Sequence, residues 1–258
     1  MRSHIAITRG VSASIARCEL THLERTPIDL ELARAQHLEY ERTLGRLGCD
    51  VRRLPTSEDW PDGVFVEDAA VVLDEVAVVT RPGAASRRGE TAAVADVLST
   101  YRRLAYIVAP GTLDGGDVLT VGRSIFVGLS SRTNSEGIEQ MRRAVEPFGY
   151  TVSTATVEGC LHLKSAATAV DDATLLVNRR WIVDREFGSL ELVDVDPDEP
   201  MAANVARVGP NLLYPSAFPR TRERLERRGF ATAIVDVSEL AKAEGAVTCC
   251  SLILFAAN

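Results

Sequence analysis

The sequence predicts an α/β fold in which five ββαβ-like units close into a single domain spanning residues 1–258. Two observations favour it. Strand-like apolar runs that carry polar residues recur roughly every 45–50 residues, a spacing typical of structural repeats. Most of these runs are followed by a second strand, a polar break and a helix-like stretch. Each unit would then direct the polar residues of its first strand toward a common centre.

The first two strands of each unit follow from these runs. First strands are expected at 65–72, 115–121, 161–168, 202–208 and 249–255, and second strands at 76–80, 124–128, 174–178 and 211–214. The last run has no second strand after it. Its partner is therefore expected at 4–9, so that the two ends of the chain close the domain.

Helices are expected where a polar break precedes apolar residues at helical spacing. Ile138, Met141 and Val145 share one face of a helix over 137–148. In the fourth unit, Gly188 predicts that the helix within 185–192 is short. The remaining helices are expected at 29–47, 91–101 and 223–228, and the third strands at 50–54, 105–109, 151–153 and 231–235.

Composition and charge favour a soluble, enzyme-sized protein. The hydrophobic fraction is 46%, yet no apolar run approaches the roughly 18 residues of a membrane span. No long apolar stretch follows Arg2, so a signal peptide is not expected. Five cysteines at irregular spacings suggest neither a disulfide framework nor a zinc site, so a cytoplasmic location is expected. The net charge of −7 argues against nucleic acid and suits a cationic small substrate.

Three residues supply the groups of a nucleophilic site. Cys249, His162 and Asp114 each lie at the edge of a strand-like run. A base shifts a thiol toward thiolate and an acid orients the base, and such partners meet in the fold rather than in the sequence. A buried cysteine is also a common core residue, and a histidine on a strand is often structural. From these residues alone, both interpretations stay open.

Eight short motifs follow one another along the chain. They are Phe65-Val66-Glu67-Asp68, Thr80-Arg81-Pro82-Gly83-Ala84, Ser86-Arg87-Arg88, Leu113-Asp114-Gly115-Gly116-Asp117, Arg132-Thr133-Asn134, Leu161-His162-Leu163-Lys164, Ala203-Asn204 and Thr248-Cys249-Cys250-Ser251. Together they resemble the dimethylarginine dimethylaminohydrolase family of the pentein, or guanidine-modifying, superfamily, and the resemblance runs from about His4 to Phe255. It implies a five-bladed α/β propeller with five units around a pseudo-fivefold axis. It also implies hydrolysis of Nω-methylated L-arginines to L-citrulline and dimethylamine or methylamine, without a metal or organic cofactor.

The same resemblance implies the catalytic roles. Cys249 is the nucleophile that forms a covalent thiouronium intermediate. His162 is first the general acid for the leaving amine and then the general base for water, and Asp114 orients it. The implied partner is a small molecule, a methylated L-arginine, and a homodimer is left open.

The resemblance also implies substrate-binding residues. Glu67 and Asp68 would bind the guanidinium group, with the Ala243 carbonyl beside them. Asp62 and the Leu20 backbone would bind the α-amino group. Arg87 and Arg132 would bind the α-carboxylate. The residue types suit the task, because carboxylates match the donor fork of a guanidinium. Arginine in turn suits bidentate binding of a carboxylate.

Strand alternation makes two further predictions. Cys250 should face away from the site that Cys249 faces, and only one of Glu67 and Asp68 should face the substrate, with Asp68 favoured. The role of Asp117 stays open between the site and the support of the Gly-Gly turn. Segment 10–27 has little periodicity and is a candidate for a lid.

Two positions depart from the family pattern. Asp114 stands where bacterial relatives often carry glutamate, and Ala243 stands where valine or isoleucine is expected. The preference among dimethyl-, monomethyl- and unmodified arginine therefore stays open. Other guanidine hydrolases, such as arginine or agmatine deiminase, are the nearest alternative, and a non-catalytic propeller that serves as a binding module is another.

Overall fold

The fold consists of five three-stranded sheets with one topology. The computed structural model describes residues 4–256. In every sheet the first strand pairs antiparallel with the second, and the second pairs parallel with the third. The predicted series of ββαβ-like units is confirmed.

The units follow one another along the chain. The first has β3 (Ala70–Val72), β4 (Val76–Val79), α2 (Thr91–Leu98) and β5 (Arg103–Tyr106). The second has β6 (Val118–Val121), β7 (Ser124–Leu129), α3 (Ser135–Val145) and β8 (Thr151–Thr156). The third has β9 (Ala167–Ala169), β10 (Thr174–Val177) and β11 (Glu191–Asp194), and the fourth has β12 (Ala206–Val208), β13 (Asn211–Pro215), α5 (Pro219–Arg227) and β14 (Ala231–Val235).

The fifth unit joins the two ends of the chain, as predicted. Its strands are β15 (Leu252–Phe255), β1 (His4–Arg9) and β2 (Cys49–Leu54), with α1 (Leu30–Arg46) between the last two. In the β15–β1 pair, His4 lies opposite Phe255 and Ile7 opposite Leu252. Asp29 caps α1, because its side chain accepts the N–H of Leu32 at 3.0 Å.

The hydrophobic core is divided among the contacts between neighbouring units. Five buried clusters occur among residues 4–256, and each combines strands from adjacent units. The first strands of all five units line a central cavity of about 270 Å³. This arrangement is a five-bladed propeller around a pseudo-fivefold axis, as the resemblance implied.

The first strands are shorter than the sequence predicted. The polar residues before them lie on short helical turns: 3₁₀ helices at Val66–Ala69 and Gly115–Asp117, and α4 at Leu163–Ala166. The backbone N–H of Asp117, for example, binds the carbonyl of Asp114 at 3.1 Å. Because these residues are not on pleated strands, the alternation argument does not apply to them.

Smaller differences concern the helices. The short helix predicted within 185–192 is a 3₁₀ helix at Asp184–Phe187, between β10 and β11. Gly188 follows it with φ 63°. α5 begins earlier than expected because Pro219 suits the first helical position. Another short helix, α6 (Ser238–Ala241), precedes the last unit. No helix within residues 4–256 is long and apolar enough to cross a membrane.

Candidate active site

The candidate catalytic residues lie on the turns that precede the first strands, near the propeller axis. Asp68 lies on the 3₁₀ helix before β3, and Asp114 directly precedes the 3₁₀ helix before β6. His162 directly precedes α4. Cys249 lies on the turn before β15. Four units therefore contribute one functional side chain each to the same region.

Two glycines allow these turns to approach one another. A Cβ atom on Gly115 would lie 1.9 Å from the carbonyl oxygen of Glu67. One on Gly116 would lie 2.5 Å from Nδ1 of His162 and 3.0 Å from Oδ1 of Asp68. The Gly-Gly pair is thus required by close packing around the histidine.

His162 is buried among carboxylates. Its Nε2 lies 3.1 Å from Oδ2 of Asp114, whose Oδ1 accepts the N–H of Gly83 at 2.8 Å. Burial alone would lower the pKa of His162, but the charges of Asp68 and Asp117 and the hydrogen bond with Asp114 outweigh it and raise the pKa to about 9. At neutral pH the ring is therefore an imidazolium.

Asp117 supports the turn behind the histidine. Its Oδ1 accepts the N–H of Leu163 at 3.0 Å, and its Oδ2 accepts the hydroxyls of Ser130 and Thr133. Burial raises the pKa of this carboxyl group. These contacts show that both oxygens of the Asp117 carboxylate are used in holding the turns around the histidine.

Cys249 carries a protonated thiol in the ligand-free protein. Although the residue is partly exposed, burial of its sulfur raises the thiol pKa, and the nearby carboxylates of Glu67 and Asp68 raise it further. The N–H of Ala246 donates to Sγ at 3.3 Å and acts in the opposite direction. Ionisation of this thiol therefore requires added positive charge in the site.

We expect Cys249 of the ligand-free protein to react slowly with iodoacetamide at pH 7, at a rate that rises through pH 9. Only the thiolate is nucleophilic, and burial together with two carboxylates raises the thiol pKa. Fragment-ion mass spectrometry against pH would measure the alkylation of Cys249 separately from that of buried Cys250. A rate that levels off below pH 7 would contradict the protonated thiol.

Asp68 and Glu67 face different sides of the site. The Asp68 carboxylate lines the small cavity that Cys249 and His162 also line. Burial opposes its ionisation, but His162 and Arg87 outweigh that effect and lower the Asp68 pKa to about 2. The Glu67 carboxylate instead accepts Lys164 Nζ and Thr248 Oγ1, both at 2.7 Å, and borders the central cavity.

Arg87 and Arg132 are not equivalent, although the sequence suggested a matched pair. Arg87 is fully enclosed: Nη1 donates to Asp68 at 2.5 Å, Nη2 donates to Glu90 at 3.0 Å, and Nη2 also donates to the carbonyl of Phe65. Arg132 donates to the Thr21 hydroxyl at 2.9 Å and lies 3.8 Å from Asp114. Two carboxylates thus already balance the charge of Arg87.

These groups surround a cavity of only about 20 Å³, room for about one water molecule. Predicted residues on its wall are Cys249, His162, Asp68, Asp62, Arg87, Arg132 and Ala243. The sequence reading missed Glu19, Phe65, Leu161 and Glu244, which also line it. Leu20 is not on the wall, but its neighbour Glu19 is. Glu19, Leu161 and Glu244 are adjacent in sequence to predicted residues, and Phe65 and Leu161 lie within two of the family motifs.

One group among the described residues has the geometry for a metal ion. Ligand atoms of Asp68, Asp114 and His162 lie within 4.8 Å of one another. However, Asp68 is already paired with Arg87 and the N–H of Gly116. The surrounding carboxylates stabilise the protonated ring of His162, so a metal ion would have to displace that proton and the Arg87 partner of Asp68. These contacts suit a buried imidazolium better than a metal ion.

Comparison with known proteins agrees with the motifs. A family model described as eukaryotic N,N-dimethylarginine dimethylhydrolase matches residues 19–186. The chain is 40% identical to the N(G),N(G)-dimethylarginine dimethylaminohydrolase of Streptomyces coelicolor over 98% of each chain. It is 37% identical to the enzyme of that name from Pseudomonas aeruginosa, over 98% of this chain and 99% of the relative.

Solved structures give the same result. A cysteine-to-serine variant of the Pseudomonas aeruginosa enzyme, complexed with citrulline, superposes with a TM-score of 0.92 at 34% identity, covering 98% of this chain and 100% of that one. The N-terminal domain of a cyanobacterial arginine dihydrolase superposes with a TM-score of 0.86 at 17% identity, covering 97% of each chain, and this shows the fold alone.

Proposed function

Because the chain belongs to the dimethylarginine dimethylaminohydrolase family, as its motifs predicted, we propose that it hydrolyses Nω-methylated L-arginines to L-citrulline and methylamine or dimethylamine. Cys249 is the proposed nucleophile, His162 the proton carrier and Asp68 the guanidinium acceptor. No step needs a cofactor.

The distribution of charge along one cavity supports this proposal most directly. The Cys249 thiol lines this cavity together with His162 and the ionised Asp68. Elsewhere on the wall are the cation of Arg132 and the carboxylate of Asp62. A ligand that complements these groups has a cationic planar head, a carboxylate and an ammonium group. Methylated L-arginine has all three.

Substrate binding would first require the cavity to open, because about 20 Å³ cannot hold an amino acid. Segment 10–27 is the proposed moving part, as its residues around Glu19 and Thr21 contact the wall. When the segment closes again, it excludes water from the reacting groups, which strengthens their electrostatic interactions.

The first half-reaction uses the charge of the substrate. A guanidinium held by Asp68 brings a positive charge beside Cys249, which offsets the carboxylates that raise the thiol pKa. The Cys249 thiol releases its proton to solvent before the site closes, and the thiolate attacks the guanidinium carbon and forms a neutral tetrahedral adduct. The His162 imidazolium gives its proton to the methylated nitrogen, the C–N bond breaks, and the amine leaves a planar cationic thiouronium.

The second half-reaction regenerates the enzyme. His162, now neutral, takes a proton from water as the oxygen attacks the thiouronium carbon. The C–S bond then breaks with its electrons on sulfur, and the new hydroxyl gives its proton to the Cys249 thiolate, which restores the thiol and forms the citrulline carbonyl. Asp114 keeps the ring in position throughout, through its contact with Nε2 at 3.1 Å.

Product identification tests this proposal. The purified protein would be incubated separately with asymmetric dimethylarginine, monomethylarginine, arginine and agmatine, and assayed for citrulline, methylated amines and ammonia. We expect citrulline and a methylated amine from the first two. Faster turnover of agmatine or unmodified arginine would place the chain with another guanidine hydrolase activity.

We expect Arg132→Ala to lower kcat/KM for methylarginine about ten- to hundredfold, since a charge-assisted bond to the substrate carboxylate contributes about 1.5–3 kcal/mol. Hydrolysis of Nω-methylagmatine, which has no carboxylate, should change far less. Steady-state kinetics on the two substrates would measure the difference.

The matched variants are Arg87→Ala and Arg180→Ala. Arg87 holds Asp68, so its loss should impair both substrates alike. Arg180 is exposed and should have no effect. If Arg132→Ala affected both substrates equally, Arg132 would not bind the carboxylate.

A further inference from the structure

Glu244 binds the backbone of the segment that covers the candidate site. Its carboxylate accepts the N–H groups of three consecutive residues: Thr21 at 3.0 and 3.1 Å, His22 at 2.5 Å and Leu23 at 2.7 Å. These residues lie more than 220 positions away in the sequence. One side chain therefore connects the turn beside the nucleophile to segment 19–23.

The backbone places this carboxylate at the edge of the cavity. Glu244 lines the cavity together with Ala243 and Cys249. Its backbone has φ 58°, a left-handed conformation that residues other than glycine, asparagine and aspartate seldom adopt. Gly245, which follows, packs so closely on the Phe65 ring that a Cβ atom would lie 2.1 Å from it. The turn is thus fixed against the wall of the site.

The bond to Thr21 also fixes a carbonyl. The N–H of Thr21 and the C=O of Leu20 belong to one trans peptide unit, in which the two groups point in opposite directions. Holding the N–H on the Glu244 carboxylate therefore sets the direction of the Leu20 carbonyl. A hydrogen bond to a charged acceptor also polarises the peptide unit, which makes that carbonyl a better acceptor.

Two further contacts hold the same segment. The N–H of Glu19 donates to the Asp62 carboxylate at 3.1 and 3.2 Å, and Arg132 donates to the Thr21 hydroxyl. Asp62 and the Leu20 carbonyl are the acceptors proposed for the α-ammonium group of the substrate. Segment 19–23 thus connects Asp62 to Arg132, the proposed partner of the substrate carboxylate. Glu244 holds the N–H groups of residues 21–23 in the same segment.

We propose that Glu244 is a positioning residue that orients the Leu20 carbonyl toward the α-ammonium group of the substrate. This inference rests on the proposed function, since it concerns recognition of the same amino acid. It assigns Glu244 a role in selecting substrates with an α-amino group, through its hydrogen bond to the backbone of Thr21.

The test compares Glu244→Gly and Glu244→Gln on two substrates: Nω-methyl-L-arginine and its analogue without the α-amino group. Glycine accepts the left-handed backbone without strain, so this variant should fold. Glutamine keeps the shape but removes the charge. Both variants should lose about tenfold or more in kcat/KM on the amino acid, mainly through a higher KM, and little on the deamino analogue.

Glu223→Ala is the control, because Glu223 is exposed and pairs with Arg227 on α5. Equal losses on the two substrates, or none on either, would overturn the inference. Failure of the unmutated protein to hydrolyse methylarginine would instead overturn the proposed function.

Amide hydrogen exchange of the ligand-free protein gives a readout that needs no turnover. We expect faster exchange at residues 21–23 in Glu244→Gly than in the unmutated protein, because the acceptor of three N–H groups is gone. Unchanged exchange at these amides would overturn the inference whatever the kinetics.

Discussion

Cys249→Ser should abolish turnover of methylarginine, with a loss on the order of 10⁴-fold or more. A hydroxyl is a far weaker nucleophile than a thiolate at neutral pH, and the guanidinium carbon is a poor electrophile. The substitution removes little volume, so the fold and substrate binding should be kept. Steady-state citrulline formation measures the loss, and calorimetric titration with methylarginine measures the binding that remains.

Cys250→Ser is the matched control, because it makes the same change at the adjacent residue. Cys250 is fully buried in a core cluster with Tyr40 and Val247, and its thiol donates to the carbonyl of Ala246 at 3.5 Å. Most of the turnover should persist in this variant. Fragment-ion mass spectrometry after partial turnover should locate the covalent adduct on Cys249. An adduct on Cys250, or full activity in Cys249→Ser, would overturn the assignment.

His162→Gly should lower kcat by about 10²–10⁴-fold while Cys249 can still be alkylated. Both the leaving amine and the attacking water need a proton carrier at this position. The ring is held as an imidazolium by the surrounding carboxylates, with a pKa of about 9, so it can donate a proton at neutral pH. Added imidazole should restore part of the activity if it enters the space that the ring leaves.

The control for this variant is His4→Gln, since His4 packs against Phe255 in the fifth unit, away from the cavity. Its kinetics should match those of the unmutated protein. Turnover of His162→Gly at the unmutated rate would mean that His162 is only a structural residue.

Several parts of the site were predictable because they depend on residue type and chain order. The recurring runs predicted that the polar residues of each unit, among them Asp114, His162 and Cys249, point toward a common centre. The sequence also favoured Asp68 over Glu67 for the substrate side, and Asp68 does line the cavity with Cys249 while Glu67 binds Lys164 and Thr248. Its reason was wrong, because both residues lie on a 3₁₀ turn, where strand alternation does not apply.

The two arginines show a second limit. Arg87 and Arg132 occupy equivalent positions after the second strands of neighbouring units, so the sequence suggested equal roles. In the structure, Glu90 lies one helical turn beyond Arg87 and Asp68 lies beside it, so Arg87 is neutralised in place. Among residues 4–256, the Arg132 guanidinium has as partners the hydroxyl of Thr21 and, at 3.8 Å, the carboxylate of Asp114. Local charge partners therefore decide which arginine can bind a ligand anion.

The sequence by itself determined the repeat of five ββαβ-like units, the closure by the two ends of the chain and the family to which the chain belongs. These follow from hydrophobic periodicity and from motif order, which are properties of the chain read locally. Only the tertiary structure decided that Arg87 is already paired while Arg132 can bind an anion, and that Glu244 holds segment 19–23. The pairing of Arg87 arises when one unit folds and buries it against Asp68 and Glu90. The other features depend on contacts between residues distant in sequence, since Thr21 meets Arg132 of another unit and Glu244 near the other end of the chain.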